Sequence, residues 1–176
     1  MDKRTMRRRD LIITPLSEAA LLFVAAAIGL AAHEPLVFAS LGPTAYELVE
    51  TPERKSARPY NVVGGHLVGV LAGFLALYAT GARATPGISS GWIQWPRIWA
   101  VVLAAAITVL VTLLIKATQP AALSTTLLIA LGIMQTWQDG FIIMGGVAIM
   151  LICGEPVRKW RLRNKENMDK QSGQAP

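Results

Sequence analysis

One histidine, His66, lies in the run NVVGGHLVGVLAGFLALYAT (61–80), which holds no Lys, Arg, Asp or Glu. An ionisable side chain in so apolar a setting costs free energy, and an imidazole that gains and loses a proton near neutral pH can carry or lend charge there. Two further stretches set hydroxyls beside a proline: SLGPTAYEL, with Ser40, Gly42, Pro43 and Thr44, and ATQPAALSTTL, with Gln119, Pro120, Ser124, Thr125 and Thr126. A proline inside an apolar segment interrupts it, and the freed backbone groups must face protein or a wet cavity, so Pro43 and Pro120 are expected to point inward. If each starts a half-helix, the N–H groups of Thr44, Ala45, Ala121 and Ala122 stand unpaired at the positive end of a helix dipole, which is an anion site. The plainer alternative is a pair of kinks whose hydroxyls bond back to carbonyls. For His66 it is a neutral imidazole bonded to a carbonyl across a close helix contact.

The elements that must position these residues are apolar throughout. The chain has 176 residues, 53% hydrophobic and 16% charged, and its mean hydropathy is +0.44. That composition predicts an integral membrane protein rather than an ordinary soluble domain. Cys153 is the single cysteine, so no internal disulfide forms, and no metal-ligand spacing or cofactor motif is present. Nor is there a Gly-rich phosphate loop or a Ser/His/Asp spacing, and no second catalytic group accompanies His66; an enzyme is not expected.

Six apolar segments can be drawn, at about 15–33, 35–49, 60–80, 97–116, 119–134 and 139–155. Basic residues crowd the start (Lys3, Arg4, Arg7, Arg8, Arg9) and the end (Arg158, Lys159, Arg161, Arg163, Lys165, Lys170), with Arg54, Lys55 and Arg58 between the second and third segments and Lys116 after the fourth. The positive-inside rule puts all of these on the cytoplasmic side, as solvated tails 1–14 and 158–176 and a ring of inner-mouth charge at Arg58 and Lys116; nucleic acid is not an expected partner. Trp92, Trp95, Trp99 and Trp137 then fall at the outer interface and Trp160 at the inner one. Thr14 and Pro15 are read as cap and first residue of the first helix, and Asn61 as the cap of the third. Glu18 and Glu47, near segment ends, read as snorkelling or capping groups.

The two halves share a plan: apolar helix, proline-broken segment, Gly-Gly helix. Pro43 matches Pro120, and Gly64-Gly65 matches Gly145-Gly146. Three crossings per half turn one copy upside down relative to the other, as in many transporters. Gly64, Gly65, Gly69, Gly73, Gly145 and Gly146 are expected to serve close helix packing.

The stretch ARPYNVVGGHLVGVLAG, with Pro59, Asn61, Gly64, Gly65 and His66, resembles the signature of the HPP family of integral membrane proteins, and TQPAALSTTLLIAL stands where that family carries its His-Pro-Pro run. The resemblance covers about residues 15–157. It departs at Gln119, where the family has histidine, at Ala121, where the second proline is missing, and at Leu123, where the family has glycine. A plastid branch is associated with nitrite movement, so the resemblance implies small-anion transport.

The sequence thus predicts an all-α integral membrane protein with six short membrane segments in a 3+3 inverted repeat (repeat 1 about 15–80, repeat 2 about 97–155) and two proline-broken half-helices. Four spans plus two re-entrant segments is the alternative. The expected function is a nitrite-like anion channel or secondary transporter in a bacterial inner membrane, as a homo-oligomer without cofactor. Its substrate path would run past Ser40, Gly42, Pro43, Thr44, His66, Gln119, Pro120, Ser124 and Thr125. A membrane scaffold or sensor module without transport is the competing class.

Overall fold

The computed structural model describes residues 8–171, with side-chain surroundings for 11–167. The N-terminal basic side chains up to Arg9, and Lys170, lie outside these. The described elements are helical: α1 Arg8–Ala32, α2 Leu41–Glu50, α3 Pro59–Ala79, α4 Trp95–Leu114, α5 Ala121–Ala130 and α6 Trp137–Gln171, joined by short 3-10 turns and extended stretches. Four contain stretches long and apolar enough to cross a membrane: Leu11–Ala32, Pro59–Ala79, Trp95–Leu114 and Trp137–Asn167. The chain is an all-helical integral membrane protein. By contrast, α2 and α5 have ten residues each, about 15 Å of helix and half the hydrocarbon thickness.

What precedes each short helix is the same device. α1 gives way at His33 (φ 55°) and α4 at Lys116 (φ 57°), the two non-glycine residues with positive φ among those described. A left-handed residue ends a helix by turning the chain out of it. A stretch without regular secondary structure follows, 35–38 in one case and 117–119 in the other, and then the ten-residue helix begins.

The ends of these helices are tied to opposite ends of the bundle. The last turn of α2 meets the basic part of α6: Arg161 donates to Val49 O at 3.1 Å, Lys165 to Glu50 O at 2.9 Å and Arg158 to Pro52 O at 3.0 Å. Arg161 also donates to Thr14 Oγ1 of α1 at 3.0 Å. At that same end Tyr60 donates to Ile115 O, and the Asn61 amide donates to Thr118 O at 3.1 Å. The last turn of α5 points the other way, where Arg97 donates to Ala130 O at 3.2 Å, to Ala82 O at 2.8 Å and to Thr85 O. There Trp137 stacks on Phe74 with ring centroids 4.3 Å apart. Trp92, Trp95, Trp99 and Trp137 are all exposed at this end.

Three local expectations change. Pro15 lies inside α1, not at its first position, and the Thr14 hydroxyl serves Arg161 instead of capping. Arg58, not Asn61, precedes α3; the Asn61 amide donates instead to Lys116 O and Thr118 O in the stretch between α4 and α5. The chain from Arg158 to Gln171 continues α6.

Two apolar clusters form the interior. One, toward the tryptophan end, joins Val70, Phe74, Leu77, Ala100, Ala104, Ile129 and Ile143. The other, toward the basic end, joins Leu21, Leu41, Leu48, Val62, Val147 and Met150. His66 falls one turn of α3 from Val62 and one from Val70, at the seam between them.

Candidate anion site at the seam

The seam is polar. His66 is fully buried, and its ring bridges the two short helices: Nε2 lies 3.0 Å from Thr44 Oγ1 of α2, and Nδ1 lies 2.6 Å from Thr125 Oγ1 of α5. Thr125 donates to Ser40 Oγ at 2.8 Å, and Thr44 donates back to Ser40 O at 2.9 Å. Four residues from three elements thus close one hydrogen-bonded ring, and Ser40, Thr44 and Thr125 are as fully buried as the histidine.

Proton counting gives this ring its chemistry. Each threonine hydroxyl has one hydrogen. While both are donated to Ser40, both ring nitrogens must donate to the threonines, and the imidazole carries a positive charge. A neutral ring keeps every contact when Thr125 donates to Nδ1 and the Ser40 hydroxyl donates in turn to Thr125, while Nε2–H donates to Thr44 and Thr44 to Ser40 O.

Close approach makes the bridge possible. A Cβ on Gly65 would sit 2.6 Å from Gln119 Cβ, one on Gly69 would sit 2.7 Å from Ala122 O, and one on Gly73 would sit 2.8 Å from Ile129 Cβ. The whole α3 face that carries His66 thus lies against α5 and its lead-in. The second Gly-Gly pair meets the other lead-in: a Cβ on Gly146 would sit 2.7 Å from Leu36 O. Gly64 and Gly145 are less confined, with nearest approaches of 3.0 and 3.8 Å.

The remaining expected residues are placed unevenly. Gln119 is buried at 3% exposure, just ahead of α5, and neither its Nε2 nor its Oε1 has a partner. Ser124 is half-buried and takes no part in the ring. Thr126 instead pairs with Thr108 of α4 at 2.8 Å and bonds back to Ala122 O. Gly42 is half-buried, and a Cβ there would meet nothing within 4 Å. Pro43 and Pro120 are exposed on the bundle surface and do not point inward. The interruption is made by the extended stretches ahead of them, so each ring occupies a helix start, where a missing N–H is tolerated. The Ala122 N–H is not free either, since it bonds to Gln119 O at 3.0 Å. Arg58 and Lys116 are exposed at the basic end.

Three roles escaped the sequence reading: that of Arg97, 1% exposed and spent on carbonyls; that of Asn61, which holds the lead-in to α5 through Thr118 O; and that of Glu47, 7% exposed. The spacing Ser40, Thr44, Glu47 and Thr51, with steps of four, three and four, was the available signal for the last. Two surface depressions, around Trp95 and around Tyr78, lie at the tryptophan end and do not reach the ring.

The family model for the transmembrane region of HPP proteins matches residues 3–165. The chain belongs to the HPP family. Comparison with curated proteins and with solved structures finds no match. The HPP match spans both short helices, their lead-ins and the ring around His66.

Proposed function

We propose that this HPP protein moves a small monovalent anion of the nitrite type across a membrane, as a channel or secondary transporter. The observation that carries the reading is the joining of the start of α2 to α5, at Thr125, by one buried hydroxyl and imidazole ring. Each helix N-terminus is worth about half a positive elementary charge, so two facing starts match about one negative charge. The opposite, negative ends of both helices are already met by Arg161 and Arg97. Among the described residues the positive ends have no such charged partner, and an anion binding near them exchanges its water for the hydroxyls of the ring and the Gln119 amide.

In this mechanism the hydroxyls of Ser40, Thr44, Ser124 and Thr125 and the amide of Gln119 replace the hydration shell, while His66 supplies charge or a coupled proton. Gln119 is the ready donor, because its amide has no protein partner. The six segments form a 3+3 inverted repeat. Its support is the repeated order of long, ten-residue and long helix, the paired turns at His33 and Lys116, and the packing of Gly65 and Gly146 each against the other half's lead-in. By the positive-inside rule the basic end, with both termini, faces the cytoplasm of a bacterial inner membrane. Several copies of the chain assemble, enclosing the lightly buried α1. A scaffold or sensor role is the second reading, favoured by the mutual satisfaction of the ring hydroxyls.

Flux assays in proteoliposomes with nitrite, nitrate, formate and chloride separate the two. Selective anion flux that falls at least about tenfold in His66→Ala and Thr44→Val, the equivalent of about 1.4 kcal/mol or more, supports transport. Equal permeability of loaded and empty vesicles to every anion supports the scaffold.

A further inference from the structure

Along α2 the buried polar positions do not stop at the ring. Glu47 follows Thr44 by three residues on the same helical face, and Thr51, the residue that ends the helix, comes four later. This face runs from the His66 contact toward the basic end. Glu47 is 7% exposed, although its helix is ten residues long and it stands only three from the end. One carboxyl oxygen accepts the Ser56 hydroxyl at 3.0 Å, while Oε2 is buried without a partner. One turn further, Thr51 Oγ1 is also buried without a partner. A capping or snorkelling glutamate would reach water or a backbone N–H; this one turns inward and does neither.

We propose that Glu47 is a proton-exchanging site of the transport path, loading from the basic end through Thr51 and Ser56. The inference rests on the transport reading and adds the coupled ion to it. A proton from the aqueous phase adds to the Glu47 carboxylate and gives a neutral carboxylic acid; its release restores the carboxylate. One proton moving with one monovalent anion leaves the step without net charge.

The surrounding charges do not take over this role. Among the described residues toward this end, on elements packed against α2, they are Glu18 of α1, Lys55 with neighbouring Arg54 and Arg58 in the turn, and, on α6, Glu155, Arg158, Lys159, Arg161, Arg163, Lys165 and Glu166; Asp139 lies at the far end of α6, and α5 has none. Arg158 is held by Glu155 and Pro52 O, Arg161 by Val49 O and Thr14, and Lys165 by Glu50 O and Glu53. Glu50, next to the helix end, is within 3.9 Å of Arg161. No cation pairs with Oε2 of Glu47.

The test uses the full-length protein in vesicles with the membrane potential clamped, and compares nitrite uptake with and without an inward proton gradient. One proton per anion predicts a ratio of about tenfold for each unit of pH gradient. Glu47→Gln keeps the shape and the Ser56 bond, and its ratio is expected to fall to about one, while Glu50→Gln keeps the wild-type ratio. An unchanged ratio in Glu47→Gln overturns the assignment. Infrared difference spectra of the purified protein on a pH step decide it without transport: a protonated-carboxyl band present in wild type and missing in Glu47→Gln supports the site, and an identical band in both overturns it. Should Glu47→Gln fail to fold, Glu47→Asp serves the same comparison, a shifted band supporting and an unshifted band overturning. Wild-type vesicles with no nitrite flux would overturn the transport reading alone, since the infrared result still stands.

Discussion

At the scale of single residues, Thr125 has the most to lose. Its one hydroxyl touches both His66 and Ser40, and Thr125→Val keeps the volume while leaving two buried polar groups without their shared partner. That change is expected to cost about 1–3 kcal/mol and to lower the thermal midpoint in detergent, with Thr125→Ser recovering most of it. Retention of the wild-type midpoint in Thr125→Val would mean that the ring carries no load. The participants of this ring were legible in sequence because polar residues are scarce in apolar segments and expensive there. Their pairing was not: His66 and Thr125 are 59 residues apart, and Thr125 and Ser40 are 85 apart. Glu47 was misjudged for a related reason. Distance from a segment end says where a residue lies along its helix, while burial depends on which other helix covers that face.

At the scale of elements, the short helices are held by cations at their carbonyl ends. Arg97 is buried and serves the last turn of α5 together with the chain at Ala82 and Thr85. Arg97→Met retains the apolar stem and removes the donors, which should cost at least about 1–3 kcal/mol and loosen α5 before the long helices. Amide hydrogen exchange checks this: faster exchange confined at first to 121–131 is expected, and uniform protection would show that packing alone fixes α5. Two short helices were expected from proline inside apolar sequence, and two ten-residue helices are present, beginning at Leu41, ahead of Pro43, and at Ala121, just after Pro120. The cause of the break did not follow. Left-handed turns at His33 and Lys116 start it earlier; histidine is only enriched at positive φ and lysine gives no such signal. Hence the prolines ended up on the outside of the bundle, where the helix start needs them, and not facing the centre.

For the whole molecule, the decisive question is whether each extended stretch plus half-helix crosses the bilayer or turns back within it. The ties of α2 to α6 at one end and of α5 to Arg97 at the other support crossing. In a Cys153→Ser background, single cysteines at Glu34 and Lys55 should then react with a membrane-impermeant maleimide from opposite sides, and those at Lys116 and Gln135 likewise. Labelling of Glu34→Cys and Lys55→Cys from the same side would replace six crossings by four spans and two re-entrant segments. Charge asymmetry in the loops is the ground for expecting this topology, because Lys and Arg mark one side whatever the packing. The central account comes down to where an anion rests. A structure determined after soaking in bromide, read by anomalous scattering, is expected to place a peak within hydrogen-bonding reach of Gln119 and the Ser40, Thr44 and Thr125 hydroxyls, between the starts of α2 and α5. Peaks confined to exposed cations such as Arg58 and Lys116, with none at that seam, would contradict it.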